Sequence, residues 1–450
     1  MKTFRLSIVA LLLALSASAQ RHSGNARNGE YSPTVYLIST YEVDTIYNCG
    51  CSAREAAALN RMAVSNATQD YTDTHRPGFQ QVEKPQFVFA SKNNRFSFAM
   101  GGYVNLRAGY GFEGISDNID FVPYDIPIPG NYDTKQKLMM DASTSRIFVK
   151  AITNTRGLGR VVAFMDADFR GGAEGSYTPR VRSAYVSFLG FTFGRDVTTF
   201  CDLQAAPTTV DFRGPNAYNL NFATMIRYEV DFARDHMTFG VAAEMPRVSA
   251  MYNDYYAPLK QRVPDVPAYL QVSWGPERDS HVRASGVVRN MYLHHTATGN
   301  NTSLLGWGVQ LSGRIKVARP LVLYANGIYG KGITPYIQDL TGSGLDFAPN
   351  PENAEKIQTT PMWAWQAAAQ INLSRRLFIS GGYSTVRVQE NHGYYSPQEY
   401  KQGQYIFGNI FYALTSRCKI AAEYLYGTRK NMNHDQNHAN RVNVMVQYNF

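Results

Sequence analysis

Ten residues, Arg441 to Phe450, constrain the fold of this chain more than any other stretch. Val442, Val444, Val446, Tyr448 and Phe450 are apolar. Arg441, Asn443, Gln447 and Asn449 are polar, and Met445 is the one breach. Successive side chains of a strand point to opposite faces, so this strand has one greasy and one wet face. At the edge of a soluble sheet it would template aggregation. A transmembrane β-barrel pairs its last strand with its first and has no edge.

The same alternation recurs from Arg95 onward. Candidate strands fall near 95–111, 137–153, 158–170, 179–189, 190–197, 222–232, 235–245, 266–275, 281–293, 303–317, 320–331, 361–374, 376–389, 402–415, 418–429 and 440–450. That is about sixteen, an even number of the size that encloses an aqueous channel. Connections alternate long and short. Thr155-Arg156-Gly157, Leu189-Gly190, Ala233-Arg234, Pro276-Glu277-Arg278, Ala318-Arg319 and Ser374-Arg375 are short; 112–136, 198–221, 246–264 and 332–360 are long. Barrels of the outer membrane sort their loops this way, with short periplasmic turns. The expected fold is all-β: a transmembrane antiparallel β-barrel of about 16 strands with a small N-terminal periplasmic extension. Hydrophobic content is 44%, yet after the amino terminus no run approaches the roughly 18 apolar residues of a membrane helix. Alternation hides lipid-facing residues from windowed hydropathy. The 30 Tyr and 24 Phe suit aromatic girdles at the two membrane interfaces.

The amino terminus agrees with that compartment. Lys2 and Arg5 precede an apolar run from Leu6 to Leu15, and Ala17-Ser18-Ala19 is a small-residue cleavage site. Residues 1–19 are expected to be a signal peptide, with the mature chain beginning at Gln20. Residues 20–94 do not alternate. Ser52-Ala53-Arg54-Glu55 is a capping box that predicts a short helix to about Ala67. Pro77 and Pro85 mark a linker into the barrel at 95–450. Cys49-Gly50-Cys51 is too sparse for a zinc site and leaves open a local disulfide or two free thiols. Cys201 and Cys418 stand alone.

Formal charge is +9, and losing Lys2 and Arg5 with the signal peptide lowers it to +7. The cations fall singly at alternate strand positions rather than in runs, which argues against nucleic acid as a partner. If Ile147 and Val149 face lipid, Arg146 and Lys150 face inward. Val161 and Met165 outward put Arg160, Asp166 and Asp168 inward. Ile226, Tyr228 and Val230 outward put Arg227, Glu229 and Asp231 inward. Leu305 to Leu311 outward put Arg314 and Lys316 inward. Arg107, Arg283, Arg289 and Arg441 follow by the same parity. A mid-depth charge on the lipid face costs about 2–4 kcal/mol, so the lumen is where these residues belong. Cations lining a pore favour anions. For any single residue, the competing reading is a brace within the barrel wall. Metal binding finds no support: His434 and His438 have helical spacing but lie in a polar loop. No cofactor is expected, and no grouping of nucleophile and base points to an enzyme.

The stretch Gly194-Arg195-Asp196-Val197-Thr198-Thr199-Phe200-Cys201-Asp202-Leu203, followed by Ala206-Pro207-Thr208-Thr209-Val210-Asp211-Phe212-Arg213-Gly214-Pro215-Asn216, resembles the DcaP-like outer-membrane porins. So does Arg180-Val181-Arg182-Ser183-Ala184-Tyr185. The resemblance spans about 95–232. It implies a sixteen-stranded trimeric porin whose third loop folds inward, with Asp202, Asp211 and Arg213 as constriction residues. Cys201 departs from the larger residue usual at that point. The terminal Phe450 resembles the signal read by the barrel assembly machinery of bacterial outer membranes. The expected function is passive diffusion of small polar, preferentially anionic, solutes across the outer membrane of a Gram-negative-type bacterium. Its partners are then outer-membrane lipid, the solutes and two further copies of the chain. An adhesin or structural barrel is the main alternative, and a barrel enzyme a lesser one.

Overall fold

The computed structural model describes residues 33–38, 53–91, 95–115, 117, 119–276, 278–390 and 393–450. The expected signal peptide and the Cys49/Cys51 pair lie outside the described residues.

Sixteen strands form the wall: β1 (Phe96–Glu113), β2 (Arg146–Thr155), β3 (Gly159–Asp168), β4 (Arg180–Phe188), β5 (Phe191–Val197), β6 (Phe222–Phe232), β7 (Met237–Glu244), β8 (Val266–Trp274), β9 (Ser280–His295), β10 (Asn300–Lys316), β11 (Leu321–Lys331), β12 (Pro361–Asn372), β13 (Leu377–Val388), β14 (Tyr400–Ala413), β15 (Cys418–Asn431) and β16 (Gln436–Asn449). Each pairs antiparallel with the next, and β16 returns to β1. The Phe450 amide donates to the Gly102 carbonyl at 3.0 Å, and Gly102 donates back at 3.1 Å. Closure pairs each of the sixteen wall strands on both sides, which is what lipid demands of a sheet. Fifteen expected strands agree within a few residues. The second is broken at 142–145, leaving Lys137–Asp141 and Arg146–Thr155 both against β1.

Alternation sorts the two faces as expected. Val442, Val444, Val446 and Tyr448 are exposed on the outside, as are Ile226, Leu305 and Leu311. Asn443, Gln447 and Asn449 point inward and are buried. The breach in the pattern, Met445, is also inward. It is buried against Val210, Phe411 and Ala421, so a loop inside the barrel covers it.

The short turns expected from the sequence all fall at one end of the barrel. At Leu189-Gly190 both residues have positive φ, and a Cβ on Gly190 would press on the Glu229 carbonyl at 2.6 Å. The long side is less regular than the sequence suggests. Connections 296–299 and 432–435 are as short as the turns. The loop 332–360, expected to lie outside, sends 333–340 inward instead. Ile333, Tyr336, Ile337 and Leu340 pack with Phe200 and Ala217 of loop 198–221 and with Val287 and Ile328 of the wall. Burying each large side chain is worth about 1.5–3 kcal/mol, which outweighs hydration of a loop this apolar. The two loops also pair by backbone: Gln338 donates to Tyr218 at 2.8 Å and Asp339 to Asn216 at 3.0 Å.

Residues 33–38 and 53–91 belong to one compact unit with the barrel. Helix α1 (Ala53–Asp73) is longer than the capping pattern indicates. Its Ala67 and Tyr71 pack on Val88, Ala90, Ala99, Ile152 and Val162. Phe87–Ser91 pairs antiparallel with β1 where β16 has ended, and Thr34–Ile38 pairs parallel with it.

Candidate permeation site

Loop 198–221 runs out and back along the inner wall, held by bonds that its own sequence supplies. Asp202 accepts from Ser312 at 2.7 Å and hydrogen-bonds His281 at 2.8 Å. Gln366 donates to the Ala205 carbonyl and Asn409 to that of Thr208. Val210 and Asp211 amides donate to Glu423 at 2.9 and 2.6 Å. On the return, Ala217 donates to Ser384 and Asn219 to Gln310. The loop therefore lines the wall from β9 to β15. Its tip, Phe212-Arg213, faces β1 to β5.

Three guanidinium groups surround the Phe212 ring. Arg107, Arg170 and Arg182 stand 5.1, 5.2 and 5.1 Å from its centroid. A cation over an aromatic face is favoured by about 0.5–2 kcal/mol, and more when water is excluded. Arg182 is the extra residue of a β-bulge: Asp166 pairs with Ser183 and Ala167 with Val181, leaving Arg182 between. Bulges re-aim side chains, and this one adds an inward guanidinium. Beside the loop tip lies a cavity of about 210 Å³ lined by Arg170, Arg180, Arg182, Arg195, Arg213 and Arg247, with Asp120 as its one carboxylate. It holds several waters or one small organic anion.

The residues expected at the constriction divide. Arg213 lines this cavity, donates to the Gln338 carbonyl at 2.5 Å and lies 4.0 Å from Asp120. Asp202 and Asp211 are buried anchors of the loop. Asp211 accepts from Tyr405 at 2.9 Å and from the amides of Phe121 and Gly214. Burial, with Asp120 and Glu423 nearby, pushes its carboxyl up to about 8.

The residues expected to line the pore divide in the same way. Arg107 touches the loop tip, and its Nε and Nη1 have no hydrogen-bond partner among the described residues. Arg146 pairs with Asp166 and also donates to the Gln80 carbonyl. Lys150 donates to the Thr74 carbonyl at 2.8 Å. Arg160 pairs with Asp70 of α1 at 2.8 Å. Arg227 bridges Asp196 and Glu229. Arg283 lies 3.4 Å over the Tyr269 ring and donates to the Thr199 carbonyl. Arg289 is fully buried between Asp265 and Asp346. Arg314 donates to the Asp279 carbonyl at the turn before β9.

Sequence reasoning missed Phe212, Arg170, Arg182, Arg195 and Arg247 as site residues. Arg182 was within reach, since it alternates with the exposed Val181. Arg195 shares the outward parity of Phe191 and Phe193, so alternation points it away from the lumen. Arg170 and Arg247 lie in loops, where parity has no meaning.

A family model described as DcaP outer membrane protein matches residues 83–248. No curated protein matches the chain. Among solved structures, the outer membrane channel DcaP of Acinetobacter baumannii superposes with a TM-score of 0.69 at 20% identity, covering 79% of this chain and 97% of that one. An anion-selective porin from Comamonas acidovorans gives 0.52 at 10% identity, covering 79% and 100%. OmpT of Vibrio cholerae gives 0.50 at 13%, covering 82% and 100%. At these identities the structural likeness establishes the fold. The chain is thus an outer-membrane β-barrel of porin architecture, and its residues 83–248 carry the match to the DcaP outer membrane protein family.

Proposed function

We propose that this protein is a passive diffusion channel for small polar solutes, that it prefers anions, and that loop 198–221 narrows its lumen. The observation that carries the reading is the cavity at the loop tip, lined by six arginines and Asp120. Arg170 pairs with Asp120, and Arg180 and Arg182 share Asp168 behind it, so cations still outnumber carboxylates there. A low-dielectric wall concentrates the field of such a cluster, so anions are drawn in and cations repelled. Arg213 and Arg107 set the sign of selectivity. Asp202 and Asp211 hold the loop in place rather than meeting solute. The chain assembles as a homotrimer, Phe450 directs its insertion by the barrel assembly machinery, and the barrel wall has no catalytic role. Residues 1–19 are removed on export, and the extension before residue 95 starts from the periplasmic side. Planar-bilayer recordings in a salt gradient test the reading. A reversal potential of the sign set by anion flow is expected at low salt. A cation-selective channel would remove the electrostatic argument, and a silent barrel would favour an adhesin.

A further inference from the structure

The segment between α1 and Phe87–Ser91 does not stay at the barrel mouth. Arg76 pairs with Asp196 of β5 at 2.6 Å and with Glu229 of β6 at 3.2 Å. The Phe79 amide donates to the Leu203 carbonyl of loop 198–221 at 2.7 Å, and its ring meets Tyr218 edge-on and packs beside Cys201. Glu83 reaches Lys419 of β15 at 3.2 Å. The segment therefore crosses the lumen from the β5–β6 wall to β15. It passes on the side that loop 198–221 leaves open. Separate cavities of about 200 and 260 Å³ flank it, both touching His75 and Pro77.

At its centre, Gln80 puts two oxygens on two wall arginines, each of which also pairs with an aspartate of β3, Arg146 with Asp166 and Arg182 with Asp168. Its carbonyl accepts from Arg146, and its side-chain Oε1 accepts from Arg182 at 2.7 Å. Gln80 also lines the arginine cavity. Its φ is +55°, a conformation that a residue with a side chain adopts only when its surroundings hold it there. Gly78, at φ +145°, lies so close to loop 198–221 that a Cβ would stand 2.5 Å from the Leu203 carbonyl oxygen. The crossing is thus a fitted contact with the loop and the wall.

Building on the anion-channel reading above, we propose that residues 74–86 are a stopper built into the lumen. The Gln80 oxygens take the place of a solute oxyanion on Arg146 and Arg182, and passage of anions requires their displacement. The chemistry favours exchange. Both Gln80 oxygens are neutral acceptors, whereas a carboxylate or phosphate oxygen carries its own negative charge and can engage a guanidinium by two parallel bonds. Both ends of the segment stay fixed, one by the Arg160–Asp70 pair and the other by strand pairing to β1, so displacement moves only the middle.

The test is single-channel conductance of the full chain in planar bilayers, with folding checked by heat-modifiable gel mobility. Residues 74–86 are replaced by a Gly/Ser linker of equal length, and Gln80→Ala and Gln80→Glu are made separately. The linker variant should conduct severalfold more chloride than wild type. Q80A should rise in the same direction. Q80E, whose carboxylate gives Arg182 a charged acceptor in place of the amide oxygen, should fall below wild type. Inorganic phosphate on one side should raise the opening frequency of wild type and leave the linker variant unchanged. Equal conductance across wild type, linker variant and Q80E would overturn the stopper while leaving the channel reading intact. If the linker variant does not fold, Q80E conducting as well as Q80A overturns it. Silence of every variant would overturn the channel reading and the stopper with it.

Discussion

Arginines on the two sides of the lumen do opposite work. On the β7–β11 side, Arg289 donates to Asp265 at 2.9 Å, to Asp346 at 3.1 Å and to the carbonyls of Gly332 and Arg247. Every direction of its guanidinium is used, and it ties loops 245–265 and 332–360 to the wall. On the β1–β5 side, Arg107 and Arg182 stack on Phe212. Nε and Nη1 of Arg107 and Nε of Arg182 have no hydrogen-bond partner among the described residues, while Arg182 also pairs with Asp168 at 3.2 Å. Arg289 is used up in holding loops, whereas the arginines at the loop tip are paired only in part and still line a cavity. Parity reveals that a charge faces inward. It does not reveal whether that charge is already neutralised.

The sharpest way to break this comparison is Arg289→Met. It leaves Asp265 and Asp346 buried without their cation, a loss of about 3–5 kcal/mol by analogy with other broken buried pairs. The temperature of the heat-modifiable shift should fall markedly, and the channels that do fold should keep their selectivity. An unchanged temperature would mean that Arg289 braces nothing. Next is the pair Arg182→Gln and Arg213→Gln together. Anion preference should drop severalfold in reversal potentials at about 0.1 M salt and much less at about 1 M, where the Debye length shrinks from about 10 Å to about 3 Å. Stability should fall less than for R289M. Barrel loss with selectivity intact would erase the distinction between the walls.

A smaller effect is expected from pH. Burial first, then Asp120 and Glu423, raise the Asp211 carboxyl to about 8, while Arg441 and the Tyr405 hydroxyl act the other way. An acid whose folded pKa is raised stabilises the fold fully below its unfolded value, near 4. That contribution is lost as pH rises towards about 8. Ionisation also adds a negative charge beneath the loop tip. In wild type, thermal stability should decline from about pH 4 to about pH 8 and then level off, while anion preference declines as the carboxyl ionises around pH 8; both should stay level in Asp211→Asn. Parallel profiles would show that Asp211 does not titrate there. The smallest effect should come from Arg278→Ala. Its pair with Asp235 is exposed at a turn, 3.2 Å long, and worth about 0.5 kcal/mol or less. A measurable change in conductance would place that turn in the permeation path.

How much of this was legible depends on the range of the interaction that decides each feature. The wall strands follow from period-two alternation, which is local. The same rule turned Arg146, Lys150 and Arg227 inward, as the structure does. It failed for Arg195, whose outward parity does not stop it from lining the cavity at the end of β5. It could not foresee the bulge at Arg182, because an extra residue in one strand shows only against its partner. The inward course of 333–340 was hidden for a different reason. Length and position mark an outer loop, while its apolar residues find their partners on β9, β11, β12 and β13, which are close only once the barrel has closed. The same holds for 74–86, which reads as a linker because Pro77 and Pro85 break regular structure, yet finds its partners on β5, β6 and β15.

The sequence by itself determined the closed sheet, because lipid accepts only a strand whose outward face is apolar and whose backbone groups are all paired. It determined which side chains point outward, since that follows from parity alone. The content of the lumen was decided by the tertiary structure. An inward side chain can meet water or another segment, and the pattern of one strand is the same in both cases. Met445 shows the difference. In the sequence it is a flaw in an alternating strand. In the folded chain it lies under Val210 of a loop more than two hundred residues earlier, beside Phe411 and Ala421. Burial of apolar surface is non-directional and takes whichever partner closure brings near.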